Sequence, residues 1–286
     1  MALRVFRTIA DFREWRCGLA RGLAVPFVPT MGALHEGHAS LVIQARNLAG
    51  PTGVVMASVF VNPTQFGANE DLARYPRTLD ADCRMLEKAG ADAVFAPSEG
   101  EMYPRGKAPA TTVDPGPLGG VLEGAIRPGH FRGVCTVVAK LLHIVEPTHL
   151  VMGQKDYQQK AILKLMLRDL DMACEMVVCP TVREADGLAM SSRNRYLDAD
   201  QRKRAVALWE ALSWAKAELA AERRDAGALR QGMAARISAR GLTVDYAVAC
   251  DAETLAEHQG TIPGPCVLLV AGRLGGTRLI DNALAG

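Results

Sequence analysis

Two histidines three residues apart, His35 and His38, bracket Glu36 and Gly37 in the stretch PTMGALHEGHASL, which runs from residue 29 to 41 and also holds Gly32. Three chemistries fit that pattern. The residues could simply shape a surface turn. They could ligate zinc, since histidines at i and i+3 share a helix face, but a zinc site needs a third ligand and no H-E-x-x-H or cysteine cluster lies nearby. They could cradle phosphate: Gly32 and Gly37 let the backbone approach a ligand closely, a helix N-terminus attracts anions, and imidazole N–H groups can donate to phosphate oxygens as charge builds. The spacing alone leaves this choice open.

Other stretches bear on it. In GQKDYQQK, residues 153–160, Lys155 and Asp156 fall where an apolar run gives way to helical periodicity. Asp156 suits an N-cap and Lys155 suits a solvated surface, yet a lysine at the carboxyl end of a strand can also neutralise a polyphosphate. MSSRN, residues 190–194, sets two hydroxyls beside a guanidinium, which reads as a turn or as an anion grip.

What positions these residues is an alternation of elements. Ile9, Phe12, Trp15 and Leu19 recur at helical spacing over 8–21. LAVPFVPT (23–30) reads as a short strand ended by Pro29, TGVVMASVFV (52–61) as a strand buried on both faces, and DAVFAP (92–97), THLVMG (148–153) and CEMVVCP (174–180) as three more. Helices are predicted over 40–49, from Leu79 to Ala89 with Gly90 as the stop, over 133–145 and over 156–170; a long loop, NPTQFGANEDLARYPRT, separates the second strand from the Leu79 helix. Strands alternating with helices build parallel sheets, whose ligands sit at the strands' carboxyl ends. The histidine stretch, VNPTQFG, GQKDYQQ and the segment after VVCPTV all fall at such ends. Beyond about residue 183 the texture changes to an Ala-rich helix from Asp198 to Arg224, a second over 225–240, and strand candidates at 243–250 and 266–274. The expected boundary divides 1–182 from 183–286.

Bulk properties exclude several classes. Thirty-three Lys and Arg against 31 Asp and Glu, with no basic block interleaved with aromatics, give no nucleic-acid footprint. No apolar run approaches the length of a membrane span. Seven scattered cysteines without a C-x-x-C pair read as reduced thiols, and the charged start lacks a signal peptide's apolar region, so a cytoplasmic protein is expected.

The H-x-G-H and MSSR stretches together resemble the paired signatures of the HIGH-type nucleotidyltransferase superfamily. More closely, PTMGALHEGH, FVNPTQFG, YPRTLDAD, RPGHFRGV, GQKDYQQ, TVREADGLAMSSRNRYL and TRLIDN resemble the pantothenate synthetase (pantoate–β-alanine ligase) family, in order and over nearly the whole chain. The resemblance implies a Rossmann-like parallel sheet with helices on both faces, carrying ATP and pantoate, and a smaller C-terminal α/β domain that closes over it. It implies a homodimer and a two-step reaction with ATP, pantoate and β-alanine, through a pantoyl adenylate, releasing pyrophosphate and then AMP.

By the same resemblance, ATP contacts fall on Met31, Gly32, Ala33, Leu34, His35, Glu36, Gly37 and His38. They continue on Gly153, Gln154, Lys155, Asp156, Val182, Met190, Ser191, Ser192 and Arg193. His38, His35 and Lys155 take the catalytic positions. Gln65 and Gln159 match the glutamines that hold pantoate, Gln65 also serving β-alanine, and Asp82 matches an acidic residue near Mg²⁺. Thr64, Met152 and Gly276 depart from the commoner pattern without touching these residues, and Asn62, Arg127 and His130 are of second rank. Two rivals remain: a relative that adenylates a phosphate and keeps the adenylyl group in its product, and a regulator that binds ATP without turnover.

Overall fold

The computed structural model describes residues 2–67, 70–106 and 109–286. In chain order its elements are β1 (Arg4–Phe6), α1 (Ile9–Cys17), β2 (Pro26–Thr30), α2 (Glu36–Ala49), β3 (Met56–Val59), α3 (Leu79–Ala89), β4 (Ala93–Phe95), α4 (Glu99–Met102), α5 (Glu123–Ile126), α6 (His130–Val145), β5 (His149–Gly153), α7 (Tyr157–Asp169) and β6 (Glu175–Cys179). They continue with α8 (Ala199–Arg204), α9 (Ala207–Ala220), α10 (Ala226–Ala239), β7 (Thr243–Cys250), β8 (Cys266–Leu274) and β9 (Thr277–Ala285). Two compact units result: one holds the chain up to Gly153 together with Ile162–Cys179, the other holds Gln154–Ala161 and Pro180–Gly286. Among the described residues no helix is long and apolar enough to cross a membrane.

The first unit is a six-stranded sheet in the order β1-β4-β3-β2-β5-β6, with every pairing parallel. Alternate residues of the strands feed two cores. Phe27, Met56, Phe95 and Leu150 pack with Phe12 of α1 and with α6, while Val28, Ala57, Val94 and Val151 pack with Val42 of α2 and Leu86 of α3. Burial of both faces is why these strands are continuous apolar runs, and helices cover both faces as expected. The chain moves outward from β2 to β3 and β4, then returns to β5 on the other side. The reversal point, where sheets of this kind bind ligands, therefore lies between β2 and β5.

Pro29 does not end its strand, contrary to the sequence reading; β2 runs through it to Thr30. Val25 exchanges hydrogen bonds with Thr148 at the head of β5, and alternation aims Pro29 to that same side. Pairing between β2 and β5 stops at Phe27 and Leu150, so the missing donor falls where the two strands have already parted. A central strand tolerates proline here because the sheet opens.

Other boundaries also differ. The run 52–61 supplies only four strand residues, and α2 and α6 begin at Glu36 and His130, ahead of the predicted starts. The loop 62–78 contains short 3₁₀ turns at Pro63–Gln65 and Asp71–Arg74, with residues 68 and 69 outside the described part. β1 went unread because it is a three-residue edge strand with Arg4 and Val5 exposed; Phe6 anchors it on Phe12 and Trp15 at ring distances of 5.5 and 5.0 Å.

In the second unit β7, β8 and β9 form an antiparallel sheet, one strand more than the sequence predicted. Leu268, Val270 and Leu279 of the sheet share a core with Leu212 of α9 and Met233 of α10. The expected helix 198–224 is two: Leu208 N–H reaches back only three residues to the Ala205 carbonyl, which offsets α8 from α9. A side chain at Gly232 of α10 would stand 1.9 Å from Trp214 of α9, so glycine there is what lets the two helices meet.

Candidate active site

In the first unit the residues from Met31 to Leu34 form a tight turn between β2 and α2. Gly32 and Ala33 both adopt left-handed φ, +81° and +51°. A Cβ at Gly32 would lie 3.0 Å from Asp82 Oδ2 and 3.1 Å from Val59 Cγ1, so only glycine fits. Ala33 carries strain that something must offset, of order 1 kcal/mol or more. Asp82 supplies it: Oδ2 accepts from Ala33 N–H at 3.1 Å, Oδ1 from Leu34 N–H at 2.8 Å, and the Thr78 hydroxyl lies 3.2 Å from both oxygens. The Thr30 hydroxyl ties the same turn to β3, donating to Ser58 O at 2.7 Å and accepting from Gly32 N–H at 3.2 Å.

Asp82, which the resemblance sets near Mg²⁺, braces this turn. It is 2% exposed, and its oxygens are occupied by backbone and hydroxyl donors of its own chain. Among the described residues no group of three His, Cys, Asp or Glu side chains is placed to hold a metal ion. The donor set around Asp82 suits a brace for the turn.

The turn delivers the two histidines to the N-terminus of α2. His35 is the N-cap; its Nδ1 accepts from Gly37 N–H at 3.2 Å, while His38 Nδ1 accepts from His35 N–H at 3.3 Å. The two rings form a reciprocal capping box with centroids 4.1 Å apart. With both Nδ1 atoms accepting, each neutral ring carries its proton on Nε2. The turn reading and the phosphate reading are therefore compatible, since the capping bonds fix the tautomer that a phosphate donor needs.

Gln65 is 8% exposed and held at three points. Its Oε1 accepts from Asn62 Nδ2 at 3.0 Å, its Nε2 donates to Met31 Sδ at 3.0 Å, and its backbone carbonyl lies 2.8 Å from His130 Nδ1. Asn62 Nδ2 also donates to Gly133 O at 3.2 Å, and Asn62 Oδ1 accepts from Tyr103 Oη at 2.8 Å. Gly133 lets α6 press against this turn, for a Cβ there would lie 2.4 Å from Thr64 O. Arg127 grips Glu70 through Nε at 2.7 Å and Nη2 at 2.5 Å, and its Nη1 lies 3.1 Å from His130 Nε2. His130 thus donates from Nδ1 and accepts at Nε2 as a neutral ring. Burial pushes it down to about 4, the Arg127 guanidinium pushes the same way, and the Gln65 carbonyl, Glu70 and Glu123 oppose. Tyr103 was not foreseen; its only sequence signal is an aromatic in an otherwise unpatterned loop.

The second unit carries Gln154, Lys155, Asp156, Gln159, Val182 and Met190–Arg193. Lys155 Nζ lies 4.0 Å from Asp156 Oδ2 at the entry to α7, and Gln159 sits in that helix's first turn. Val182 and Met190 are brought side by side by a hairpin-like turn, in which Met190 N–H donates to Val182 O at 3.0 Å and Glu184 N–H to Leu188 O at 2.8 Å. Gly187 makes the turn with φ +95°, and a side chain there would strike Trp209. Ser191 caps the following 3₁₀ turn, its Oγ accepting from Arg193 N–H at 3.2 Å. Backbone bonding therefore groups Val182 with the MSSR stretch.

Known proteins bear on this arrangement. The family model for pantoate-beta-alanine ligase matches residues 4–284. A pantothenate synthetase of Nocardioides sp. is 56% identical over 273 residues, covering 92% of this chain and 79% of that protein. Its counterpart in Moorella thermoacetica is 49% identical over 99% of this chain and 98% of its own length. Among solved structures, pantothenate synthetase from Thermus thermophilus superposes with a TM-score of 0.89 at 45% identity, covering 98% of each chain. Pantoate-beta-alanine ligase from Francisella tularensis, complexed with beta-gamma ATP and beta-alanine, gives 0.82 at 34% identity, covering 99% and 98%.

Proposed function

The chain belongs to the pantoate–β-alanine ligase family, enzymes that join pantoate to β-alanine at the expense of ATP, and from that premise we propose which of its residues carry each step. In the first step a pantoate carboxylate oxygen attacks the α-phosphorus of ATP, the bond to the β-phosphate breaks, and pyrophosphate leaves behind a pantoyl adenylate. In the second the neutral amine of β-alanine attacks the acyl carbon, AMP departs, and the amine loses a proton as the amide forms.

The observation that carries this reading is the capping box of His35 and His38, because it presents two Nε2–H donors at the N-terminus of a fourteen-residue helix. Carboxylate and triphosphate are both anionic, so the attack needs donors and positive charge that strengthen as charge moves onto the leaving pyrophosphate. His38 and His35 donate to those oxygens, Lys155 adds a point charge, and Arg193 with the Ser191 and Ser192 hydroxyls grips the nucleotide. By the resemblance, the remaining ATP contacts fall on the backbone from Met31 to His38 and on Gly153 in the first unit, and on Gln154 to Asp156 and Val182 with Met190 in the second. Gln65 and Gln159 orient pantoate through amides, which hold a carboxylate and two hydroxyls without neutralising the oxygen that must attack. Magnesium enters as part of the ATP substrate rather than as an ion held by Asp82. The resemblance supports a homodimer, and seven unpaired cysteines suit the cytoplasm.

Pyrophosphate exchange tests the order of steps. Pantoate and MgATP alone support incorporation of labelled pyrophosphate into ATP, and adding β-alanine yields AMP and pantothenate by mass spectrometry. Exchange that requires β-alanine overturns the adenylate step, and a product retaining the adenylyl group places the enzyme with phosphate-adenylating relatives.

A further inference from the structure

We propose that Asn282, on the last strand of the second unit, is a positioning residue for Lys155. The proposal rests on the reading that Lys155 meets the ATP phosphates. It starts from a side chain whose hydrogen-bonding capacity is spent on two neighbouring residues. Asn282 Nδ2 donates to Gln154 O at 3.1 Å and to Lys155 O at 2.8 Å, and its Oδ1 accepts from Gln154 Nε2 at 3.1 Å. The residue is 2% exposed, and its partners lie 127 and 128 positions away in sequence.

Carbonyls in a segment that has left its sheet and not yet entered its helix have no ladder or helical partner, and water would ordinarily take them. Here one amide takes both, so the backbone from which the Lys155 side chain departs is tied to a strand. That strand is itself fixed: Asn282 is in register with Leu269 of β8, and its neighbour Asp281 with Val270. Asp281 accepts from Arg183 Nη1 at 2.6 Å, from Nη2 at 3.0 Å and from Asn282 N–H at 2.8 Å, and Arg183 Nη2 returns to Asn282 O at 3.3 Å. The Arg183 guanidinium lies 3.7 Å from the centroid of the Trp209 ring. Each polar atom of Asn282 thus has a partner, and a replacement that keeps size but changes donors cannot satisfy both carbonyls.

Lysine reaches its target through four methylenes, so small shifts of its Cα spread into large shifts of its ammonium. Misplacement of a charge by about an ångström costs on the order of a hundredfold in rate. The test uses the full chain and pyrophosphate exchange with pantoate and MgATP, with melting temperature recorded for every variant. Asn282→Ala and the isosteric Asn282→Asp each lower kcat of exchange by about ten- to a hundredfold, with KM for pantoate unchanged. In a Lys155→Ala background, Asn282→Ala has no further effect on kcat. If Asn282→Ala fails to fold, Asn282→Ser keeps one donor and gives an intermediate kcat. A variant that melts early yet turns over normally overturns the inference, and so do Lys155 and Asn282 losses that multiply. If Lys155→Ala itself leaves exchange intact, the assignment of Lys155 to the phosphates fails first, an outcome told apart by that single variant.

Discussion

Replacing Asp82 with asparagine decides whether this carboxylate braces the turn or binds magnesium. Asn has the same shape but only one accepting oxygen. The native oxygens serve Leu34 N–H at 2.8 Å and Ala33 N–H at 3.1 Å, so in Asp82→Asn one of these donors faces an NH₂ group. A lost bond to a charged acceptor is worth about 1.5–3 kcal/mol, and the stranded buried donor adds to it. Asp82 also lies in the first turn of α3, where a negative charge contributes about 0.3–1 kcal/mol more. The sum is about 3 kcal/mol, which for a chain of this size lowers the melting temperature by roughly 6–12 °C. Because Gly32 and Ala33 are held in left-handed backbone by these bonds, the turn relaxes and the histidines shift, so exchange slows even well below the melting temperature. Scanning fluorimetry gives the first quantity, and exchange titrated with magnesium at fixed ATP gives the second. Brace and ligand part company there: a brace leaves the magnesium dependence where it was. A variant that melts within about 2 °C of the parent but requires far more magnesium refutes the argument.

The pantoate contacts predict a split between substrates. Gln65→Ala and Gln159→Ala raise KM for pantoate tenfold or more, from about 1–3 kcal/mol of unpaired polar substrate, while ATP affinity holds; Gln65→Ala alone also weakens β-alanine use. Loss of ATP binding with a normal pantoate KM contradicts the assignment. His130 sets a pH dependence. Its folded value of about 4 lies below the ordinary 6.5, so the unfolded chain binds the proton first. The stability it confers is complete above pH 6.5 and drains as pH falls toward 4, by about 3 kcal/mol. Urea unfolding at pH 7 and pH 4.5 shows a smaller loss in His130→Asn than in the parent, and equal losses in both contradict the burial argument.

How far the sequence speaks for itself is clearest from particular stretches. The alternation of apolar runs with amphipathic helices determines a parallel sheet, because strands covered on both faces must be apolar throughout and helices covered on one face must show a stripe. Candidate stretches could be placed by the same pattern, since the histidine stretch follows β2, VNPTQFG follows β3 and GQKDYQQ begins at the end of β5. What could not be read is whatever depends on partners distant in the chain. Pro29 looked like a terminator, and only the parting of β2 from β5 makes it tolerable in mid-sheet. The resemblance could set Asp82 near a metal, but it could not show that its oxygens accept from a turn 48 and 49 positions away. β9 escaped detection because it buries Asp281 and Asn282, which break the alternation expected of a strand. Periodicity records which side of an element faces away from water, and that is a local property. The pairing of a buried polar group is settled by whichever donor or acceptor the folded chain brings to it, and no spacing along the sequence encodes that.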